Sequence, residues 1–153
     1  MKPETDPITD DEWLLRRVRV ERFRTDKTPV ISPNAFEPRL PGPKVRDPDT
    51  EGISLYREDC LTSREDILAT VAEDKRRDFG IVRVPVALLQ ALNLTVEFRQ
   101  DSRIPGHVVI PELNATAYAA GKATFTPTLL RLAEVASEDA NIVRHPLVNP
   151  DVG

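Results

Sequence analysis

Apolar and polar positions along this chain change period every ten to twenty residues, and each change marks an element. Residues 10–23 read DDEWLLRRVRVERF. As a helix this run would put Trp13, Arg16 and Arg17 on one face, a poor apolar stripe. As a strand it sets Leu14, Arg16, Val18 and Val20 on one side and Trp13, Leu15, Arg17 and Arg19 on the other. The β-branched residues, and arginine stems able to cover apolar surface, favour a strand that begins near Trp13. Residues 52–57, 80–84, 94–99 and 107–110 carry further strand patterns.

Helical spacing appears three times. Thr62-Ser63-Arg64-Glu65-Asp66 has the form of a capping box, and Ile67, Leu68 and Val71 follow it, which predicts a helix over 63–75. Pro85 suits the first turn of a short helix carrying Leu88, Leu89 and Leu92, with Asn93 placed to end it in a left-handed conformation. Thr126-Pro127 predicts a cap and first helical position ahead of Leu129, Leu130, Leu132, Ala133 and Ala136. Between the first two strands, residues 25–50 hold six prolines and one glycine, so a long loop pinned by Phe36 is expected there. The succession predicts an α+β fold: a small mixed or antiparallel sheet with about three helices and a long proline-rich loop.

Length and composition sharpen that picture. The 153 residues suit one domain, since a chain of this size buries about 68–70 % of its unfolded surface. Fourteen prolines against six glycines leave much of it to turns and extended segments. The domain is expected over 10–140, with a disordered leader at 1–9 and an extended tail at 141–153. No apolar run follows Met1, so neither a secretory signal nor a membrane span is expected. With Cys60 the single cysteine, the chain is no disulfide scaffold, and a cytoplasmic setting is expected. Asn114-Ala115-Thr116 matches a glycosylation acceptor, which means nothing without secretion.

Charge and motifs remove several functions. A net charge of −4 argues against a whole-molecule nucleic-acid binder. Six scattered glycines form no phosphate loop, so no nucleotide cofactor is expected. His107 and His145 are the only imidazoles and stand in no metal-binding spacing, so no metal is expected. His107 could act as acid or base beside a cleft, yet nothing nucleophilic is near it in sequence, and a strand-start histidine bonded to its loop is the plainer reading. Cys60 precedes a helix start that could lower a thiol pKa, although a buried small apolar residue is the plainer reading there too. Trp13 reads as core.

The segments Trp13-Leu14-Leu15-Arg16-Arg17-Val18, Ile31-Ser32-Pro33-Asn34-Ala35-Phe36, Gly52-Ile53-Ser54-Leu55-Tyr56 and Ile104-Pro105-Gly106-His107-Val108-Val109-Ile110 together resemble a group of small uncharacterised bacterial proteins. That group has a Trp-Leu-x-Arg-Arg start, a Ser-x-Ala-Phe element, an Ile-Ser-Val strand and a Pro-Ala-His strand start. This chain departs from it with Gly106 in place of Ala and Ser-Leu-Tyr in place of Ser-Val. The resemblance implies no activity.

Three functions follow as expectations. The first is a non-catalytic accessory or interaction protein that binds a protein partner through the proline-rich loop and an adjacent strand edge, with Phe36, Arg19, Arg22 and Arg24 as contact residues. The second is an enzyme. Arg16 or Arg17, then Ser54 and Tyr56, then Glu112 occur in the order used by ADP-ribosyltransferase-like folds, which would imply phosphate, nicotinamide and transition-state contacts respectively. Arg16 or Arg17 with His107 or Glu112 could alternatively serve phosphate-ester chemistry. The third is nucleic-acid binding through the basic segment from Arg16 to Lys27.

Overall fold

A computed structural model describes residues 1–101 and 103–146. Among these residues six antiparallel strands form one sheet in the order β4-β5-β2-β1-β3-β6. They are β1 (Trp13–Arg19), β2 (Ile53–Arg57), β3 (Phe79–Pro85), β4 (Glu97–Phe98), β5 (His107–Ile110) and β6 (Ile142–Arg144). Three α-helices accompany them among the described residues: α1 (Val86–Ala91), α2 (Ala115–Ala120) and α3 (Lys122–Ala136). The α+β class and the approximate number of helices are as the periodicity predicts, and the sheet is wholly antiparallel. Among the described residues no helix is long and apolar enough to cross a membrane.

Adjacent residues of β1 explain why the sheet is covered on both faces. Leu14 and Leu15 are both fully buried, and strand alternation sends them to opposite sides. Leu14 and Val18 join the larger core with Phe36, Leu55, Val84, Leu129 and Leu132. Leu15 joins a smaller one with Tyr56, Ile67, Leu68, Ile81 and Ile104. A strand with both faces buried belongs in the interior of a sheet, and β1 lies between β2 and β3. Where it is paired on both sides β1 is therefore an interior strand, and it is not the outer edge strand expected beside the proline-rich loop. Phe36, proposed as a contact residue, is fully buried under α3 and is a core anchor.

Several local expectations need correction. The helix predicted over 63–75 is two 3₁₀ segments, Arg64–Leu68 and Glu73–Asp78. Its capping box is present at Ser63 and Asp66, but Nη1 of Arg17 takes the Ile67 carbonyl at 3.3 Å, and Val71 N–H bonds Leu68 rather than Ile67. An α-helix needs that carbonyl for its own ladder. α3 starts at Lys122, with Pro127 inside it, not at Thr126. The earlier turn is rewarded by Phe125, whose ring packs edge-on against Tyr118 at 5.5 Å. α2 and β6 were not foreseen, and 94–99 yields only the two-residue β4. Pro85 stands at the cap of α1, one position before the predicted one, and Asn93 ends the turn with φ 60° as expected. Of the tail over 141–153, residues 141–146 are placed and include β6, while 147–153 lie outside the described residues.

The leader is anchored at Arg57. Arg57 is fully buried, and Nη1 donates to the carbonyls of Glu4 and Asp6 while Nη2 donates to that of Pro7. The same guanidinium grips Glu12 with two bonds, Nε to Oε1 at 2.8 Å and Nη2 to Oε2 at 3.0 Å. Lys2 adds a 3.4 Å contact to Glu12 Oε2. Burial by itself would raise the Glu12 carboxyl, but the Arg57 fork and the Thr9 N–H outweigh it and hold the group below its ordinary value of 4.5. Gly106 serves the same corner. Its φ of +79° is unfavourable for any side chain, and a Cβ there would lie 2.8 Å from Cys60 Cβ. A side chain at this position would therefore be both strained and crowded.

A carboxyl whose pKa is depressed by folding lends stability above its unfolded pKa and withdraws it as pH falls through the folded one. Glu12→Gln should cost about 3–5 kcal/mol at neutral pH, because Arg57 is left buried without its counter-charge. Chemical denaturation across pH should also show the wild type losing stability as pH falls below about 4.5, with the Glu12→Gln curve flatter over that window. Parallel curves would show that this carboxyl is not the coupled group.

Candidate functional site

The sheet opens between its two central strands. β1 and β3 pair along their whole length, from Trp13↔Pro85 to Arg19↔Phe79. β1 and β2 share only Leu14↔Arg57 and Leu15↔Tyr56. Beyond that point a side chain replaces the ladder: Nη1 of Arg16 donates to the Ser54 carbonyl at 2.8 Å, and Nε donates to the Ala35 carbonyl at 2.7 Å. The Arg16 guanidinium also lies over the Phe36 ring, 5.8 Å from its centre. It therefore ties the opening strands to the proline-rich segment.

Backbone alternation tells which groups face the opening. The Arg57 N–H points to β5, where Gly106 accepts it at 2.9 Å, and the Ser54 carbonyl points to β1. Tyr56 and Leu15 thus form a hydrogen-bonded pair, and the next such pair would join Ser54 to Arg17. It is not made. The peptide groups of Arg17 and the N–H of Ser54 face the gap without a ladder partner.

This gap is the floor of a cleft of about 1180 Å³. One wall comes from residues 34–49, another from Thr70, Val71, Lys75 and Phe79, and α2 and α3 contribute Tyr118 and Lys122. Among the described residues nine arginine and lysine side chains line it against four carboxylates. Arg22 meets Glu37 at 3.7 Å and Arg39 meets Asp49 at 3.4 Å. Among the described residues, Arg16, Arg17, Arg19, Arg46, Lys75, Arg103 and Lys122 have no carboxylate within ion-pair distance. Burial pushes Arg16 down to about 10, countered by Asp49 and reinforced by Arg17 and Arg39, so it stays charged at neutral pH. Arg17 donates to Thr70 Oγ1 at 2.7 Å and lies 6.0 Å over the Tyr56 ring.

A smaller recess of about 280 Å³ adjoins the cleft, and Ser54 lines both. Here His107 Nε2 and Ser54 Oγ are 2.9 Å apart. β2 and β5 bring them together: Tyr56 pairs with His107 and Ser54 with Val109, so serine and histidine sit diagonally on one face. The imidazole stacks on Tyr56 at 5.2 Å. Burial lowers its pKa, Asp101 opposes that, and Arg99 and Arg17 add to it, so the neutral ring prevails at pH 7. A hydroxyl partner for His107 was not legible locally, because 53 residues separate the two.

The remaining candidates are dispersed. Arg19 and Arg22 line the cleft, Arg19 with its guanidinium 5.2 Å over Phe79. Arg24 folds onto the Pro29 carbonyl of its own loop and does not reach it. Glu112 is taken up by Thr95, through its N–H at 2.8 Å and its hydroxyl at 2.5 Å, and lines neither recess. Cys60 is buried, and desolvation raises its thiol, which leaves it unreactive at neutral pH. Among the described residues no three His, Cys, Asp or Glu side chains gather into a metal site. Arg16, Arg17, Ser54 and Tyr56 thus share one cleft, His107 joins them through Ser54, and Glu112 stands apart. No family model, curated protein or solved structure matches the chain.

Proposed function

We propose that this protein is a non-catalytic binding module, an accessory or interaction protein that takes an anionic ligand into the cleft between β1 and β2. The observation that carries this reading is the cluster of cations lining the cleft without carboxylate partners, in a chain whose overall charge is −4. Concentrating positive charge in one concavity of an acidic molecule steers an anion there and disfavours indiscriminate polyanion binding. Arginine forks suit carboxylate and phosphate oxygens alike. Relative to the expectation of a partner held by the proline-rich loop, the loop keeps a role as a wall of the cleft, while Phe36 does not. Nucleic-acid binding by the segment from Arg16 to Lys27 finds less support, because Arg16 and Arg17 leave β1 on opposite faces and Arg24 turns back on its loop.

Arg46, Lys75 and Lys122 are exposed and have no carboxylate partner among the described residues; Lys122 lies 5.7 Å over the Tyr118 ring, so circular dichroism first checks that the variant is folded. A combined Arg46→Glu, Lys75→Glu and Lys122→Glu variant should bind inorganic pyrophosphate at least about tenfold more weakly by calorimetry at low salt, a loss of roughly 1.4 kcal/mol. Equal affinity in wild type and variant would remove the cleft from consideration.

A second reading, an esterase-type enzyme, is favoured by the 2.9 Å contact of Ser54 with His107. Against it, no carboxylate hydrogen-bonds the other ring nitrogen among the described residues, so nothing fixes the imidazole as a base. A fluorophosphonate probe decides: on the leading reading Ser54 stays unlabelled by mass spectrometry, and modification that disappears in both Ser54→Ala and His107→Ala would transfer the case to catalysis.

A further inference from the structure

We infer that the ligand of this cleft is an acidic polypeptide segment, bound in extended form as a short strand along the parted edge of β1; this rests on the cleft being an anion site. Three observations converge. At about 1180 Å³ the cleft exceeds the roughly 300–1,000 Å³ of small-molecule pockets, which points to an extended occupant. Its floor offers the unladdered N–H and C=O of Arg17 and the N–H of Ser54, and a polypeptide backbone is the partner that answers alternating donors and acceptors. Its walls supply charge: Arg17 and Arg19 stand on one side of β1 and Arg16 on the other, and the exposed Arg46, Lys75, Arg103 and Lys122 ring the opening.

An added strand alternates its side chains, so acidic residues at every second position would face one bank of these cations. With the acidic side chains toward Arg17 and Arg19, the apolar residues between them would point to the other side of the sheet, where Val18 lines the cleft. A nucleic-acid strand would satisfy the cations equally well, but it carries no amide donors or acceptors at strand spacing to complete the floor. Bases usually stack on open aromatic faces. The Tyr56 ring is already covered by His107 on one contact and Arg17 on another, which leaves no free platform there.

The test compares four probes by fluorescence anisotropy and calorimetry with the full chain. They are a peptide of about ten residues alternating glutamate and valine, the same peptide N-methylated along the backbone edge that would pair, an oligothymidylate of similar charge, and inorganic pyrophosphate. The unmodified peptide should bind at least roughly tenfold more tightly than its N-methylated twin, and its binding should slow amide exchange at Arg17 and Ser54. Equal binding of the two peptides, or tighter binding of the oligonucleotide, overturns the strand proposal and leaves the anion site standing. If none of the four binds, both fall.

Discussion

One guanidinium decides the character of this molecule. Where the β1–β2 ladder should continue, Arg16 caps the Ser54 carbonyl and the Ala35 carbonyl at once, so two backbone acceptors that would otherwise be orphaned in a half-buried place are satisfied without the strands closing. A buried carbonyl left bare costs about 1–3 kcal/mol, which is the scale on which an open sheet would otherwise be penalised. Because Arg16 meets that need with neutral oxygens instead of a carboxylate, its full charge is retained inside the cleft. The opening, its positive potential and the seating of the proline-rich wall are three results of the same contact.

The other end of β1 is built the opposite way. Glu12 and Arg57 form a buried, bidentate pair at the closed end of the β1–β2 ladder, and the remaining Arg57 donors collect the first residues of the chain. A buried ion pair is a poor source of net stability compared with apolar packing, but its directionality fixes register. Here it pins Leu14 against Arg57 and Leu15 against Tyr56, the two pairs from which the strands then diverge. Rigid closure at one end makes a defined opening at the other, and that opening places Ser54 where both the cleft and the His107 recess can reach it.

Much of the sheet was legible in the sequence because strand alternation is a local signal, and Leu14, Ser54, Tyr56 and the His107 strand all declare themselves that way. Asn93 was legible because a left-handed turn tolerates few residues. What escaped depended on distant partners. The 3₁₀ segments after Ser63 look helical until Arg17 removes a carbonyl from their ladder. The start of α2 is set by Asn114, whose side chain accepts from Ala117 N–H at 2.9 Å, a cap that the overlapping Asn-Ala-Thr pattern conceals. The polar leader is anchored by Arg57, the last residue of the 52–57 strand pattern, whose burial no local signal announces. Arg16, Arg17, Ser54 and Tyr56, singled out by type and order, come together at one cleft only through the sheet register, while Glu112 is held by Thr95 away from it.

The parted ladder can be read directly in solution by amide hydrogen exchange of the free protein. Tyr56 and Leu15, joined across the closed end, should exchange slowly, and Ser54 and Arg17, two residues further along each strand, should exchange faster by orders of magnitude. Protection of Ser54 and Arg17 equal to that of Tyr56 and Leu15 would mean that the strands close, and with them the cleft.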